Sequence, residues 1–340
     1  MEKVINHAII GCGRIAQNHY NAAKENNINI VCCCDIDIEK AKSFANKNNI
    51  IEYISDYKEL INREDIDSIS ICTDHVSHTE IAKDFIGNKH IIIEKPLSTN
   101  NALAKKFNEL CKDTKKVISI IAQHRFDNSV NFVKKMIDNG DLGEIVLVNA
   151  KLKCHRDKEY YTESYWRGTL EKEGGSTVIN QAFHIVDTLT YLFGLPIKVE
   201  SELINIGFKN EIETEDTCAA LLKYNDFLCC FSSTNSSITD WQTSIEIIGT
   251  KGEINFNIDF PENILEFNVS DDLKEKYKED IKVISENHEN NKNLGVNYYG
   301  LSHIKQFKDF KEAIITGRKP RVTIEKSMEI QQVLDLIYKK

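Results

Sequence analysis

The sequence lacks any long apolar run and any concentration of charge of one sign. No stretch approaches the roughly 18 apolar residues that a membrane span requires, and residues 1–7 lack the apolar core and cleavage site of a secretory signal. The 43 basic and 52 acidic residues form no basic block, which argues against nucleic-acid binding. We therefore expect a soluble, cytoplasmic protein that binds neither nucleic acid nor a membrane. A local basic pocket for a small anionic substrate remains compatible with this balance.

Spacings typical of metal ligands are also missing. The ten cysteines include no CxxC pair and no zinc-like spacing. Cys32, Cys33 and Cys34 are adjacent in a predicted strand, where side chains alternate between faces, so they are interpreted as small buried hydrophobic residues. The sequence therefore predicts free thiols, as in a reducing cytoplasm, and no metal site.

Strands and helices alternate in the first part of the chain. The length of 340 residues suggests two domains. Apolar runs predict strands at 7–10, 28–34, 68–73, 90–94 and 117–122, and helical patterns lie at 15–24, 38–46, 78–86 and 101–112. Alternation of this kind implies crossover connections and a parallel sheet. We predict an α/β Rossmann domain, with a doubly wound parallel sheet, over residues 1–124.

The pattern changes after residue 124. A helix at 130–139 is followed by strand-like runs at 145–153, 199–205, 218–224, 227–232 and 243–248, with helices mainly at 178–193 and 302–316. This predicts an α+β domain with an open, mostly antiparallel sheet over residues 125–340. Residues 262–293 resist assignment. Because an open apolar sheet face needs a cover, we expect a homodimer or homotetramer.

A glycine-rich turn follows the first predicted strand. In Gly11-x-Gly13-x-x-Ala16, Gly11 permits a tight turn, Gly13 lets a pyrophosphate approach the backbone, and Ala16 allows close helix packing. Asp35 ends the second strand, close to the spacing of roughly 20 residues expected for an acid that binds the adenosine ribose, although an acid in a turn can also be merely solvated. A carboxylate repels a 2′-phosphate and residues 35–38 include no Arg or Lys, so NAD is favoured over NADP.

Lys95 stands in Glu94-Lys95-Pro96, at the end of the fourth predicted strand. A solitary lysine is most often a solvated surface charge. Ligands of open parallel sheets, however, bind beyond the carboxyl ends of the strands, and Pro96 restricts the lysine to extended geometry. This position favours a catalytic role for Lys95.

A second group of polar residues lies in the predicted helix 178–193. On one helix, Asn180, His184 and Asp187 share a face, so we expect His184 to lie beside Asn180 and against Asp187. A lone histidine on a helix is more often structural than catalytic. The preceding Gly174-Gly175 pair lets the start of the helix approach another element closely.

Together these features resemble a known family. The residues that carry the resemblance span nearly the whole chain: Gly11, Gly13, Ala16, Asp35, Thr73, His78, Glu94-Lys95-Pro96, His124-Arg125-Phe126, Gly140, Leu142, Gly143, Gly174-Gly175, His184, Asp187, Glu215-Asp216 and Ile248-Gly249-Thr250-Lys251-Gly252. In this combination the sequence resembles the Gfo/Idh/MocA family of glucose–fructose oxidoreductases and inositol dehydrogenases. The resemblance implies an NAD-dependent sugar dehydrogenase in which Lys95 and His184 are catalytic, His184 as acid/base, with Trp166-Arg167 reaching the cofactor.

The resemblance also implies two sets of binding residues. The expected NAD ligands are Gly11, Gly13, Arg14, Ile15, Asp35, Thr73, Asp74, His75, His78, Glu94, Lys95, Gln123, Trp166 and Arg167. The expected substrate ligands are Lys95, Arg156, Asn180, Gln181, His184, Tyr299 and His303.

Two departures from the family pattern bear on the substrate. Asp74 stands where many members have proline, and Asn180 stands where inositol dehydrogenases have aspartate. Asn180 instead resembles the branch that oxidises the 3-hydroxyl of nucleotide-linked amino sugars such as UDP-GlcNAc or its uronic acid. The alternatives are a keto-sugar reductase or polyol dehydrogenase of the same family and, in another class, a non-catalytic NAD sensor.

Overall fold

A computed structural model describes residues 4–259, 262–286 and 300–340. By their contacts these residues form two compact units. The first comprises the described parts of Met1–Gln123 and Asn293–Gln331, and the second comprises those of His124–Lys292 and Gln332–Lys340.

The first unit opens with alternating strands and helices. In chain order these are β1 (Ile5–Ile10), α1 (Ala16–Glu25), β2 (Ile28–Cys34), α2 (Ile38–Asn48), β3 (Glu52–Ile54), β4 (Ser68–Ile71), α3 (Ser77–Ala82), β5 (His90–Ile93), α4 (Asn101–Cys111) and β6 (Ile118–Ile120). All adjacent strands pair in parallel, in the order β3-β2-β1-β4-β5-β6. The predicted doubly wound Rossmann sheet is therefore confirmed, with one more strand than predicted, because the three residues of β3 give too short an apolar signal.

Local sequence explains where these elements begin. Asp37 caps α2, since its side chain accepts hydrogen bonds from the backbone N–H groups of Glu39 and Lys40, and Asn100 caps α4 through Leu103 N (3.0 Å). The strands are rich in isoleucine, and the isoleucines of β5 are fully buried, as a parallel sheet with both faces covered requires.

The second unit is built on a larger sheet. Its elements are α5 (Asn128–Asp138), β7 (Ile145–His155), α6 (Glu159–Thr162), α7 (Phe183–Phe193), β8 (Lys198–Ile204), β9 (Thr217–Lys223), β10 (Leu228–Thr234), β11 (Ser236–Gly249), β12 (Glu253–Phe256), β13 (Ile264–Asn268), α8 (Asp271–Lys276) and α9 (Lys278–Glu286). The strand order is β13-β12-β11-β7-β10-β9-β8. Among the described strands of this second sheet, only β7 and β10 pair in parallel, so the predicted open, mostly antiparallel sheet is confirmed. The unassigned segment 262–293 contains β13, α8 and α9, and its last residues lie outside the described part.

The chain then returns to the first unit through α10 (Gly300–Thr316) and enters α11 (Ile324–Tyr338). Phe307, Phe310 and Ala313 of α10 pack with Ile5 and Ile92 in one core cluster of the first unit. The predicted boundary at 124/125 lies beside the end of the first segment, but the grouping of residues 300–331 differs from the prediction because these apolar side chains complete that core. No described helix combines the length and the apolar character that crossing a membrane would require.

Candidate active site

The glycine-rich turn after β1 is shaped to leave its backbone open. Gly11 has φ +92°, and a Cβ there would lie 2.6 Å from the carbonyl oxygen of Cys72, so only glycine fits. At Gly13, no heavy atom of the described residues lies within 4 Å of the position that a Cβ would occupy. A phosphate group can therefore approach this backbone closely.

The beginning of α1 provides the matching electrostatics. Ile15 is the N-cap, and within the described chain neither a side-chain cap nor an acidic residue in the first turn serves this helix end. The first backbone N–H groups of a helix and its dipole favour an anion at this position. Arg14, predicted to contact the cofactor, is exposed beside the turn.

Asp35 follows β2 and is hydrogen-bonded to the same turn. Its Oδ2 accepts from Cys12 N (2.9 Å) and its Oδ1 accepts from Asp37 N (3.0 Å). The carboxylate is thus held beside the glycine-rich turn, as an acid that binds a ribose diol would have to be. Together with the open Gly13 backbone and the uncapped α1 helix, these residues fit NAD.

The residues after β4 connect two loops at the carboxyl edge of the sheet. Asp74 Oδ1 accepts from the backbone N–H of Ser77 (3.2 Å), the first residue of α3. His78 is buried, which lowers its pKa, and its Nδ1 lies 2.7 Å from the Pro96 carbonyl oxygen while its Nε2 lies 3.2 Å from that of Thr73. A neutral imidazole donates only one hydrogen bond, and the shorter distance assigns it to Pro96. His78 therefore connects the β4 loop to the turn that carries the predicted catalytic lysine.

Glu94, predicted as a cofactor ligand, is buried in a histidine network. Its Oε1 accepts from Nε2 of His19 (2.9 Å) and lies 3.4 Å from Nε2 of His303, while its Oε2 accepts from Lys95 N (3.1 Å). Burial alone would raise the pKa of Glu94, but the two imidazole hydrogen bonds lower it well below its usual value. Lys95, half-buried, follows a carboxylate that stays ionised.

The network extends inward from His19. Its Nδ1 lies 2.8 Å from Ser70 Oγ, which is 2.7 Å from Nε2 of His7, whose Nδ1 is 2.8 Å from Ser68 Oγ. Burial lowers the pKa of both His7 and His19. With neutral rings, every hydrogen bond in the series has one donor and one acceptor, so the cluster is satisfied by its own groups.

Two substrate ligands were predicted near the C-terminal end of the chain, and the structure describes one of them. His303, predicted to bind substrate, is buried in the first unit against Glu94 and edge-on to His19, with ring centroids 5.7 Å apart. Tyr299 lies outside the described residues. The remaining ligands predicted in the first unit are placed near the carboxyl edge of the sheet: Thr73 and His75 in the loop after β4, and the buried Gln123 after β6.

In the second unit, the prediction of a single helix over residues 178–193 is wrong. A π-helical turn covers Thr177–Gln181, and α7 begins only at Phe183. The buried carboxylate of Glu215 accepts from Ser176 N and Val178 N (both 3.0 Å), which anchors the turn separately from α7. Asn180 and His184 therefore lie in different elements.

His184 also has different neighbours from those expected. Asp187 is paired with Arg125 (Oδ1 to Nε, 2.8 Å) rather than with His184. The ring of His184 is instead 4.7 Å from that of His124 in an edge-on contact. Burial opposes protonation of His124, but the adjacent Asp127 (2.6 Å) raises its pKa.

Two arginines meet at one aromatic ring. The guanidinium carbons of Arg167 and Arg156 lie 4.3 and 5.0 Å from the Tyr160 centroid, within cation–π range. Arg156 donates to Gln181 Oε1 (2.7 Å), and Gln181 Nε2 donates to the Tyr160 hydroxyl (2.9 Å). Three predicted ligands, Arg156, Arg167 and Gln181, are thus brought together around Tyr160. Trp166, 5.0 Å from the Arg167 guanidinium, joins the same group.

Glu173 connects Asn180 to this group and was missed as a site residue. It is fully buried; its Oε1 accepts from Asn180 Nδ2 (2.6 Å) and its Oε2 from Gly168 N (2.5 Å). Burial raises its pKa to about 7. The available signal was an acidic residue directly before the Gly174-Gly175 pair.

Comparison with known proteins matches two family models to successive parts of the chain. Residues 5–122 match the GFO_IDH_MocA family model described as "Oxidoreductase family, NAD-binding Rossmann fold", and residues 134–340 match the companion model of the "C-terminal alpha/beta domain". The uncharacterised oxidoreductase YrbE of Bacillus subtilis is 27% identical over 264 residues, 74% of this chain and 73% of the relative. The D-glucoside 3-dehydrogenase of Escherichia coli is 26% identical over 220 residues, 62% of this chain and 59% of the relative.

Similar solved structures share the fold. The WlbA dehydrogenase of Bordetella pertussis, solved with NADH and UDP-GlcNAcA, has a TM-score of 0.86 at 22% identity, covering 100% of this chain and 96% of that one. Levoglucosan dehydrogenase, solved with NADH and levoglucosan, has a TM-score of 0.83 at 21% identity, covering 99% and 97%.

Proposed function

The chain belongs to the Gfo/Idh/MocA oxidoreductase family, whose N-terminal domain is an NAD-binding Rossmann fold, and on that premise we propose that it oxidises a secondary hydroxyl of an anionic, nucleotide-linked amino sugar. The 3-hydroxyl of a UDP-N-acetylhexosamine or of its uronic acid is the proposed target. NAD is the oxidant that the glycine-rich turn and Asp35 are suited to bind.

The observation that carries the proposal is the pair of guanidinium groups at Tyr160. Arg156 and Arg167 are both partly buried, where a positive charge interacts more strongly with an anion than it would in bulk water. Guanidinium groups also bind carboxylate and phosphate oxygens in bidentate fashion. A diphosphate or uronate substrate uses these charges, whereas a neutral polyol does not.

The relatives support a sugar substrate more broadly. Their names include D-glucoside 3-dehydrogenase and inositol 2-dehydrogenase, and a protein of the same fold was solved with UDP-GlcNAcA. Asn180 in place of aspartate favours the amino-sugar branch over inositol, because a neutral amide adds no repulsion toward an anionic ligand.

In the proposed reaction, two side chains act on the hydroxyl that is oxidised. Lys95 polarises its oxygen, and His184 accepts its proton, since imidazole titrates near neutral pH. Bound NAD supplies the hydride acceptor. Asn180 orients the sugar by hydrogen bonding, and Arg156 and Arg167 hold its negative charge.

Turnover by the purified protein tests this function directly. The substrate panel is UDP-GlcNAc, its uronic acid, a neutral glucoside and myo-inositol. Each alcohol is assayed with NAD, and the corresponding ketone is assayed with NADH in the reverse direction. We expect the acidic nucleotide sugar to give the highest kcat/KM. Exclusive turnover of inositol or of a neutral glucoside would contradict the proposed substrate class, and NAD binding with no turnover on the whole panel would favour the sensor.

Variants of Lys95 and His184 test the catalytic assignment. Lys95→Met and His184→Asn should each lower turnover by roughly 10²–10⁴-fold while leaving NAD affinity nearly unchanged, and the two losses should not multiply if both groups serve one proton transfer. The exposed Lys105 and His155 provide matched controls as Lys105→Met and His155→Asn. Wild-type rates in both active-site variants would refute the assignment.

We also propose a homodimer or homotetramer. The outward side chains of β9 and β10 include Leu221 and Leu228, which are 38% and 41% exposed, and a second copy of the sheet would cover them. A monomer in light scattering at micromolar concentration would contradict this assembly.

A further inference from the structure

The structure points to Glu173 as a positioning residue that fixes which end of the Asn180 amide faces the sugar. We propose that Asn180 is thereby held as a hydrogen-bond acceptor, which selects a sugar with a donor, a hydroxyl or an N-acetyl N–H, at the matching position. The identity of the sugar in this inference rests on the proposed function.

The Glu173 carboxyl group determines which end of the Asn180 amide lies next to it. An ionised carboxylate has only acceptor atoms, and Glu173 Oε1 lies 2.6 Å from the Asn180 side-chain nitrogen. The Tyr160 hydroxyl lies 3.5 Å from the same nitrogen. The oxygen and nitrogen of an amide are distinguished by their partners, and here an acidic partner assigns the nitrogen to the Glu173 side. The carbonyl oxygen is consequently at the opposite end of the planar group.

The second carboxylate oxygen makes this orientation hard to reverse. Glu173 Oε2 accepts from Gly168 N, in the turn that follows Trp166 and Arg167. Rotation of the carboxyl group to release Asn180 would break the bond to Gly168 in a fully buried place, where an unsatisfied backbone N–H is costly. One side chain thus holds both the Asn180 amide and the turn that carries Arg167.

The charges around Glu173 make the arrangement sensitive to its proton. Among the described residues, the titratable and charged groups that face it include Glu215, Arg167, Tyr161 and Tyr338. Burial and the nearby Glu215 raise the pKa of Glu173 to about 7, against the opposing effects of its hydrogen bonds and Arg167. The acceptor orientation of Asn180 is therefore most firmly held above neutral pH.

A reciprocal exchange of the two groups tests the proposal. In Glu173→Gln, the glutamine oxygen serves Gly168 N and its NH₂ faces the Asn180 nitrogen, so the Asn180 amide must flip. The double variant Glu173→Gln/Asn180→Asp restores a donor–acceptor pair and again presents an acceptor to the sugar. The exposed Glu171 gives the matched control Glu171→Gln.

We expect KM for the sugar to rise roughly tenfold in Glu173→Gln, as loss of one hydrogen bond with a mismatched partner predicts, with a smaller change in kcat and NAD affinity within about twofold. The double variant restores the acceptor but moves a negative charge to position 180, so it should recover part of this loss, and Glu171→Gln should match the wild type. A double variant no better than either single variant would overturn the proposal, as would an unchanged KM in Glu173→Gln.

A measurement without sugar separates this inference from the proposed function. The side-chain NH₂ signals of Asn180 in a ¹⁵N-labelled protein are assigned by their loss in Asn180→Asp. They should shift with a midpoint near pH 7, and Glu173→Gln should abolish that shift. If the chemical shifts of these signals change neither with pH nor in Glu173→Gln, the positioning role is wrong whatever the substrate. If they respond as expected but no nucleotide sugar binds, only the proposed substrate is wrong.

Discussion

A buried carboxylate lies beside a candidate site residue in each unit of the protein, Glu94 in the first and Glu173 in the second, and the two differ in their partners. Glu94, in the first unit, accepts from two imidazoles and from Lys95 N. Glu173, in the second, accepts from an amide and a backbone N–H. Burial raises the pKa of Glu173 to about 7, whereas in Glu94 the imidazole bonds outweigh burial and lower the pKa well below its usual value.

The difference shows that depth alone does not determine ionisation. Both side chains are almost completely buried, so the desolvation penalty has the same sign in each. The donors decide the outcome, because hydrogen bonds to the charged form offset that penalty. Glu94 is consequently a permanent negative charge near Lys95, while Glu173 changes charge within the range of neutral pH.

The largest expected effect comes from removing the permanent charge. Glu94→Gln either keeps an oxygen for both imidazoles and places its NH₂ group against Lys95 N, or keeps an oxygen for Lys95 N and places the NH₂ group against both imidazoles. Hydrogen bonds to charged groups contribute roughly 1.5–3 kcal/mol each, so we expect the free energy of unfolding to fall by about 2–3 kcal/mol in urea titration.

The exposed Glu64 provides the control. Glu64→Gln should change the free energy of unfolding by less than about 0.5 kcal/mol. If Glu94→Gln is equally mild, the imidazoles do not stabilise the carboxylate as described, and the contrast with Glu173 is lost.

The pH dependence of two variants sharpens the contrast. The raised pKa of Glu173 means that its contribution to stability is full below its unfolded pKa and is lost as pH rises through about 7. The destabilisation by Glu173→Gln should therefore shrink by about 1–2 kcal/mol between about pH 5.5 and pH 8. Because the pKa of Glu94 is lowered in the folded protein, its contribution to stability is lost only at acid pH, below the pKa that it has in the unfolded chain. The destabilisation by Glu94→Gln should therefore be constant over this range.

Urea midpoints measured across that pH range check both slopes at once. Parallel pH profiles for Glu173→Gln and Glu94→Gln would mean that the two carboxylates titrate alike. The exposed Glu171, replaced by glutamine, should show no slope between about pH 5.5 and pH 8.

The smallest expected effect concerns the longer imidazole bond. His303→Gln removes the contact at 3.4 Å but leaves Glu94 bonded to His19 at 2.9 Å. We expect a loss of about 1 kcal/mol in the free energy of unfolding. Lys308→Gln, at an exposed position of the same helix, should be neutral. A loss as large as that of Glu94→Gln would make His303, rather than His19, the principal partner.

Features that depend on short stretches of sequence were predictable. The parallel strands of the first unit, the glycine-rich turn and the placement of Asp35 and Lys95 follow from local patterns of apolar residues and glycine. The break in the helix between Asn180 and His184 could not be predicted in this way, because the helical periodicity of the sequence continues through it. It depends on Glu215, whose carboxylate binds the backbone of residues 176 and 178 from more than 30 positions away.

The buried networks show the same limit. Nothing near Glu94 in the sequence indicates that His19 and His303 meet its carboxylate, since the three residues lie on separate elements that only the folded unit brings together. Likewise, Asn180 was predicted as a ligand, but its orientation depends on Glu173 and could not be read from the Asn180 position itself.

The return of α10 to the first unit has a consequence for protein synthesis. Ile5 and Ile92 leave the ribosome early, but Phe307 and Phe310, which complete their core cluster, are made later. At translation rates of about 5–20 residues per second, roughly ten seconds or more pass between synthesis of Ile92 and synthesis of Phe307. During this interval an apolar face of the nascent sheet is uncovered. The N-terminal half is therefore expected to engage chaperones while the rest of the chain is translated, and a fragment that ends before α10 should aggregate when expressed alone.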